Sequence, residues 1–198
     1  DNFTKTDGSQ VTCSFMNRVD NSGRFRKGDG CTVSALATGN NCSMVFLLPD
    51  QGHSVDEFLN TPEQLETSMD TDYRKWKSGK VTWKVPKFSF GSTFELTGLL
   101  QDMGVEKMFV PKAEFSKISE SPLFVTNVIQ ETHMGIDEKG VEGAAYTMIV
   151  LEEAGIFMSE EKLEADMILD RPFIYGIQDN RTGTWLFLGV CRNPADGQ

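Results

Sequence analysis

EKGVEGAAYTMIVLEEAGIFMSEEKLEADMILDRP, running from Glu138 to Pro172, joins a first half that alternates like a β-strand to a second half without tight-hairpin chemistry. Val141, Gly143, Ala145, Thr147, Ile149 and Leu151 fall on one parity, all small or apolar, while Glu142, Tyr146 and Glu152 fall on the other. A half-buried strand requires that split, because successive side chains of a strand point to opposite faces. The segment then ends acidic and loose, as a solvated tail would. A stretch able to be buried as a strand, joined to such a tail, reads as a loop with two states. On pattern alone a second reading stays open, since Ala144, Ala145, Tyr146, Met148 and Leu151 can also line one face of a helix.

Outward from this segment, strand patterns dominate. Val11 to Met16 and Cys31 to Thr38 alternate β-branched or apolar with polar residues and read as antiparallel strands joined by the glycine-rich turn GRFRKGDG, Gly23 to Gly30. Cys42 to Leu48 is continuously apolar and closed by Pro49, which predicts a central strand covered on both faces. Two short helices should come next: one over Ser54–Leu59, with Ser54 as N-cap and Glu57 as its capping-box partner, and a superficial one starting at Pro62. In Lys80 to Phe90, Val81, Trp83 and Val85 share a parity before Pro86 breaks the ladder, which marks a crossing between sheets. Leu96, Leu99, Leu100 and Met103 recur at helical spacing until Gly104, and Pro122 to Ile136 reads as a long strand leading into the opening segment. Phe173–Ile177 and Trp185–Val190 flank DNRTG as a hairpin.

The chain has 198 residues, 39% of them hydrophobic, enough for one domain with a core. Its 19 basic and 29 acidic residues give a formal charge of −10, and no basic cluster with interleaved aromatics offers a phosphate-binding stripe, which argues against a nucleic-acid partner. No apolar run approaches the about 18 residues that a spanning helix needs, so a membrane partner is not expected. Opening on Asp1 in the polar run DNFTKTDGSQ, the chain reads as a processed product or a fragment. Cys13, Cys31, Cys42 and Cys191 are too scattered for a disulfide scaffold and read as buried small hydrophobes; were one bridge present, Cys31 and Cys42, on strands joined by the turn at Gly39 to Asn41, would be the pair. Sequons at Asn2, Asn41 and Asn180 do not fix a compartment.

Catalytic material is thin. His53 lies in a turn and His133 inside a strand pattern, and no GxSxG, HExxH, GxxxxGK[ST] or GxGxxG occurs. The pairs Glu152/Glu153 and Glu160/Glu161 are neighbours in sequence, which suits solvated charge better than acid–base work across a cleft. An enzyme is disfavoured, and no metal or cofactor is implied.

The run MILDRPFIYGI, Met167 to Ile177, followed by DNRTGTWLFLGVCRNP, resembles the signature region of the serpins, the serine protease inhibitor superfamily. EKGVEGAAYT, Glu138 to Thr147, is similar to the serpin hinge, whose usual form is EEGTEAAAAT. LLPD (Leu47 to Asp50), VPKF (Val85 to Phe88), GVEKMF (Gly104 to Phe109) and AEFSKIS (Ala113 to Ser119) match family motifs in the same order. The resemblance spans nearly the whole chain and corresponds to the C-terminal half of the serpin domain. It implies an α+β fold, serpin-like and incomplete, with mostly antiparallel β-sheets and a few short helices. Residues 1–198 would form a single partial domain, with the reactive-centre loop and the segment after it over 138–171.

In that family an exposed loop is offered as bait, is cleaved, and inserts into the central sheet while still joined to the protease as an acyl-enzyme. The resemblance makes Glu138, Lys139, Gly140, Val141, Glu142, Gly143, Ala144, Ala145, Tyr146 and Thr147 the loop hinge. Val141, Gly143 and Tyr146 depart from the usual residues; the first two are uncharged on the inward parity and Tyr146 lies on the other, so insertion remains open. Counting at the inhibitory spacing from Glu138 places the reactive bond at Ala154–Gly155, which implies an elastase-like serine protease as partner. Cleavage near Phe157 or Met158 would instead favour a chymotrypsin-like one. The strand bordering the insertion site on its far side would lie upstream of Asp1, so the N-terminal half of the same protein is a further expected partner. An extracellular setting is implied by the resemblance alone. The alternatives are a non-inhibitory serpin-fold protein (storage, carrier or chaperone-like) and a fragment acting only as a protease substrate.

Overall fold

The computed structural model describes residues 1–38, 41–138, 140–142 and 163–196. They form two compact units, Asp1–Ser89 with Gly135–Gln198, and Phe90–Met134. In the first, β1 (Asn2–Thr4) and β2 (Gln10–Thr12) make a small hairpin. A seven-stranded sheet comes next, built from β3 (Phe15–Gly28), β4 (Cys31–Ala37), β5 (Cys42–Pro49), β6 (Lys77–Pro86), β10 (Glu164–Ile168), β11 (Phe173–Asp179) and β12 (Trp185–Cys191). Its order is β10-β6-β3-β4-β5-β11-β12, and every neighbouring pair is antiparallel except β10 with β6. A three-stranded sheet has the order β7 (Phe88–Glu95), β8 (Ile129–Asp137), β9 (Gly140–Glu142). Pro86 ends β6 and Phe88 opens β7, so the chain changes sheets at Pro86 as expected.

The unbroken apolar run of β5, Met44 to Leu48, is explained by cover on both faces. On one, Val45 and Leu47 pack with Cys31, Val33 and Ile174 against Val55, Phe58 and Met69. These last three come from α1 (Val55–Leu59) and the residue that closes α2 (Pro62–Ser68). On the other face Phe46 meets Trp83 at 5.6 Å and Phe173 at 6.0 Å, and Phe88 meets Tyr175 at 5.0 Å. Such a tilted aromatic cluster gains quadrupolar attraction beyond the area it buries. Glu57 Oε1 accepts from the Ser54 amide at 3.1 Å, the expected reciprocal arm of the capping box.

At three points of this unit the structure departs from the sequence expectation or settles an open one. The glycine-rich turn shrinks to Asp29 and Gly30, both with positive φ, while Gly23 to Gly28 continue β3. Phe25, 2% exposed, holds that stretch in the sheet, and Asp-Gly is the dipeptide a two-residue hairpin turn demands. Cys31 and Cys42 form no disulfide and lie at opposite ends of the β4–β5 ladder, where Cys31 faces Pro49 and Ala37 faces Ser43. Six residues of strand separate them, about 20 Å, far beyond disulfide reach. The tail read as solvated contains β10, whose Ala165 and Met167, with Leu169 after it, are buried.

In the second unit, α3 (Thr97–Asp102) ends where Gly104 takes a φ of 87°. The long strand expected from Pro122 is shorter, because β8 begins at Ile129. Before it the backbone bonds locally: the Val125 amide donates to the Met108 carbonyl and the Val128 amide to Thr97 Oγ1. Those donors are spent on loop contacts and no ladder forms. No helix among the described residues is long and apolar enough to cross a membrane.

Candidate functional site

The expected hinge leaves the end of β8. Glu138 forms an ion pair with Lys87, the lysine of VPKF, and the chain then turns back so that β9 pairs antiparallel with β8, Gly140 opposite Asp137, Val141 opposite Ile136 and Glu142 opposite Gly135. Ile136 is 7% exposed. Position 141 therefore shares its register with a buried residue, and antiparallel partners lie on the same face of a sheet. The apolar parity read from the sequence begins at this position. Lys139, Gly143, Ala144, Ala145, Tyr146 and Thr147, the candidate bond Ala154–Gly155, and the alternatives Phe157 and Met158 lie outside the described residues.

The chain is described again at Leu163, on the edge of the seven-stranded sheet. The Lys80 amide donates to the Leu163 carbonyl at 2.9 Å. β10 then runs parallel to β6 from Glu164 opposite Lys80 to Ile168 opposite Lys84, and the Leu169 amide donates to the Lys84 carbonyl at 2.8 Å. Lys27 Nζ donates to the Glu164 carbonyl at 3.1 Å, and Lys80 lies 3.5 Å from the Glu164 carboxylate. Beyond β10, Arg171 Nε and Nη2 both donate to the Pro49 carbonyl, at 3.1 and 2.8 Å. Two of the motifs that carried the resemblance, LLPD and the run containing DRPF, thus meet at one guanidinium. In sequence, residues 143–162 are bounded by strands of two different sheets, β9 and β10.

The other candidates do not gather into a catalytic site. His53 Nδ1 lies 2.8 Å from Glu57 Oε2, and that contact, led by the hydrogen bond, holds the Glu57 carboxyl below its ordinary range. His133 is an exposed residue of β8. Among the described residues no group of three or more His, Cys, Asp or Glu side chains is placed to hold a metal ion. Burial raises the Cys13, Cys31 and Cys191 thiols above their ordinary values, opposite to what a nucleophilic cysteine needs.

Two parts of this arrangement escaped the sequence reading. Lys87 lay inside a quoted motif, but nothing local connects it with Glu138, far along the chain. The strand Glu164–Ile168 did carry a signal, the alternation of Ala165, Met167 and Leu169, concealed by its acidic neighbours.

Comparison with known proteins agrees with this geometry. The profile of the family described as Serpin (serine protease inhibitor) matches residues 1–194. Serpin A3-1 of Bos taurus is 33% identical over 174 residues, a match covering 84% of this chain and 38% of the relative. Tengpin, a thermophilic serpin solved in the native state, is 27% identical with a TM-score of 0.68, covering 98% of this chain and 49% of that one. Human thyroxine-binding globulin is 26% identical with a TM-score of 0.71, covering 98% and 50%. The chain spans between 38% and 51% of the length of the curated relatives it matches. Its fold, the order of its motifs and these matches coincide, and the chain belongs to the serpin family.

Proposed function

We propose that the protein carrying this chain is a suicide-substrate inhibitor of serine endopeptidases, with residues 138–171 as its reactive-centre loop and following segment. The observation that carries the proposal is the pairing of β9 with β8: the first residues of the hinge already add a strand to the sheet edge along which an inserting loop would zip. The inward parity beyond it, Gly143, Ala145, Thr147, Ile149 and Leu151, has no charge, so its burial carries little desolvation cost.

The protease serine Oγ attacks the carbonyl carbon of Ala154. The C–N bond to Gly155 breaks, the protease general acid protonates the departing Gly155 amine, and the Ala154 acyl group stays on the serine as an ester. Insertion of 143 onward beside β8 then carries the ester away before water can hydrolyse it. A small residue at the acyl position fits a shallow specificity pocket, hence an elastase-like target. The far border of the insertion site comes from sequence outside this chain, and secretion is the setting in which such a target is met.

A second reading has one observation in its favour, the fold shared with thyroxine-binding globulin, which was solved in complex with thyroxine. On that reading the protein is a non-inhibitory carrier. The two differ in the fate of the protease once the loop is cut. Incubation with pancreatic elastase and then intact-mass measurement should release a C-terminal peptide beginning at Gly155; a peptide beginning after Phe157 or Met158 moves the target to chymotrypsin-like enzymes, and no defined peptide removes the loop assignment.

A further inference from the structure

β3 and β6 change register between Asp20 and Gly23, and at that shift two glycines face each other, Gly23 opposite Gly79. Gly79 is the residue over which the returning chain passes. A Cβ built on it would lie 2.2 Å from the Leu163 carbonyl oxygen, 2.9 Å from the carbonyl carbon and 3.0 Å from the Leu163 Cβ. The first two are backbone atoms, so no rotamer change relieves the overlap, and contact distances between such atoms are about 3.5 Å. The neighbouring Lys80 amide donates to that same oxygen, and the parallel ladder of β10 on β6 starts immediately afterwards. The missing side chain at Gly79 and the first hydrogen bond of β10 are thus one feature.

We infer that Gly79 is a positioning residue for the reactive loop: the gap above its Cα fixes Leu163 as the point where the C-terminal side of the loop joins the seven-stranded sheet. This rests on the reading of 138–171 as a reactive loop. A methyl group at 79 pushes the Leu163 carbonyl off the Lys80 amide and opens the first rungs of β10, moving the point at which the loop is joined to the sheet. Gly28, the last residue of the neighbouring strand β3 and with no heavy atom within 4 Å of a built Cβ, provides a control.

The test compares wild type, Gly79→Ala and Gly28→Ala by amide hydrogen exchange on the natural protein. The expected result is about 10- to 100-fold faster exchange at Lys80 and across 164–168 in Gly79→Ala, the range that overpacking by one methyl group produces. β5 and β11 should be unchanged, and Gly28→Ala should match wild type throughout. Wild-type exchange at Lys80 in Gly79→Ala overturns the inference. If Gly79→Ala does not fold, Lys80→Pro removes the donor without adding an atom at 79 and carries the same expectation for 164–168. With protease present, Gly79→Ala should cleave at the wild-type rate while a larger share ends as cleaved inhibitor and a smaller share as covalent complex. Absence of any wild-type complex contradicts the inhibitory reading, and the exchange comparison then still decides the role of Gly79.

Discussion

Arg171 donates from Nε and Nη2 to the single carbonyl oxygen of Pro49, joining the end of β5 to the chain just past β10 across a sequence separation of 122. Its third nitrogen, Nη1, is held by Asp170 at 3.0 Å. A charged donor to a carbonyl is worth about 1.5–3 kcal/mol. The partly exposed guanidinium places this one at the lower end. Arg171→Ala should lower the urea midpoint with unchanged slope. Arg171→Lys should recover only part of the loss, because an ammonium lacks the planar fork.

The Tyr175 ring covers Gly189, its cross-strand partner, and burial, with Cys191 adding to it, pushes its hydroxyl from an ordinary 10.0 up to about 12. The folded state keeps the proton that the unfolded chain releases at pH 10. The stabilisation is therefore complete below pH 10 and lost as pH rises from 10 through 12, a loss on the order of 2 kcal/mol. Tyr175→Phe should flatten urea midpoints across that window. A residual slope belongs to the other groups held above their ordinary values, the Cys13, Cys31 and Cys191 thiols by burial and Lys75 by its hydrogen bond with Asp70.

Three of the four cysteines are buried, and Cys42 is the half-buried one. Timed alkylation of native protein, read by peptide mass analysis, should modify Cys42 first. Cys31 and Cys191 should react only after denaturation. Intact mass should not change on reduction, since Cys31 and Cys42 lie at opposite ends of their hairpin.

The hinge register yields a parity test. Val141 stands opposite buried Ile136, whereas Glu142 stands on the alternate position. Val141→Arg asks the sheet to accept an unpaired charge, at a cost of several kcal/mol, and on the proposed function should give a substrate that is cleaved without trapping. Glu142→Arg should leave trapping intact. Gel quantification of cleaved and complexed product separates the two variants.

Local physics decides the features that were legible in the sequence. Ser54 with Glu57, the parity of Val81, Trp83 and Val85, and the doubly covered run at β5 are each settled within a few residues, and all three stand as expected. The errors arose where a distant partner overrode the local signal. Gly23 to Gly28 looked like a turn until Phe25 in the core and the β6 edge made them strand. Pro122 to Val128 looked like strand until their amides found Met108 and Thr97. Of the candidate hinge, the structure describes Glu138 and the backbone of Gly140 to Glu142, while its remainder to Thr147 and the chemistry at Ala154 rest on the family resemblance. The pairing of Lys87 with Glu138 needed the fold, since spacing along a chain does not specify which of many charges will meet.

Inhibition as proposed depends on the hinge beginning at β9 zipping into the sheet beside β8 after cleavage while the protease is held as an ester. The direct measurement incubates the longest natural form of the protein with pancreatic elastase and resolves the products by denaturing electrophoresis. A covalent band at the summed mass of elastase and the N-terminal cleavage product, resistant to SDS and absent for Val141→Arg, is the predicted result. Complete cleavage with free, fully active elastase and no such band would contradict the account.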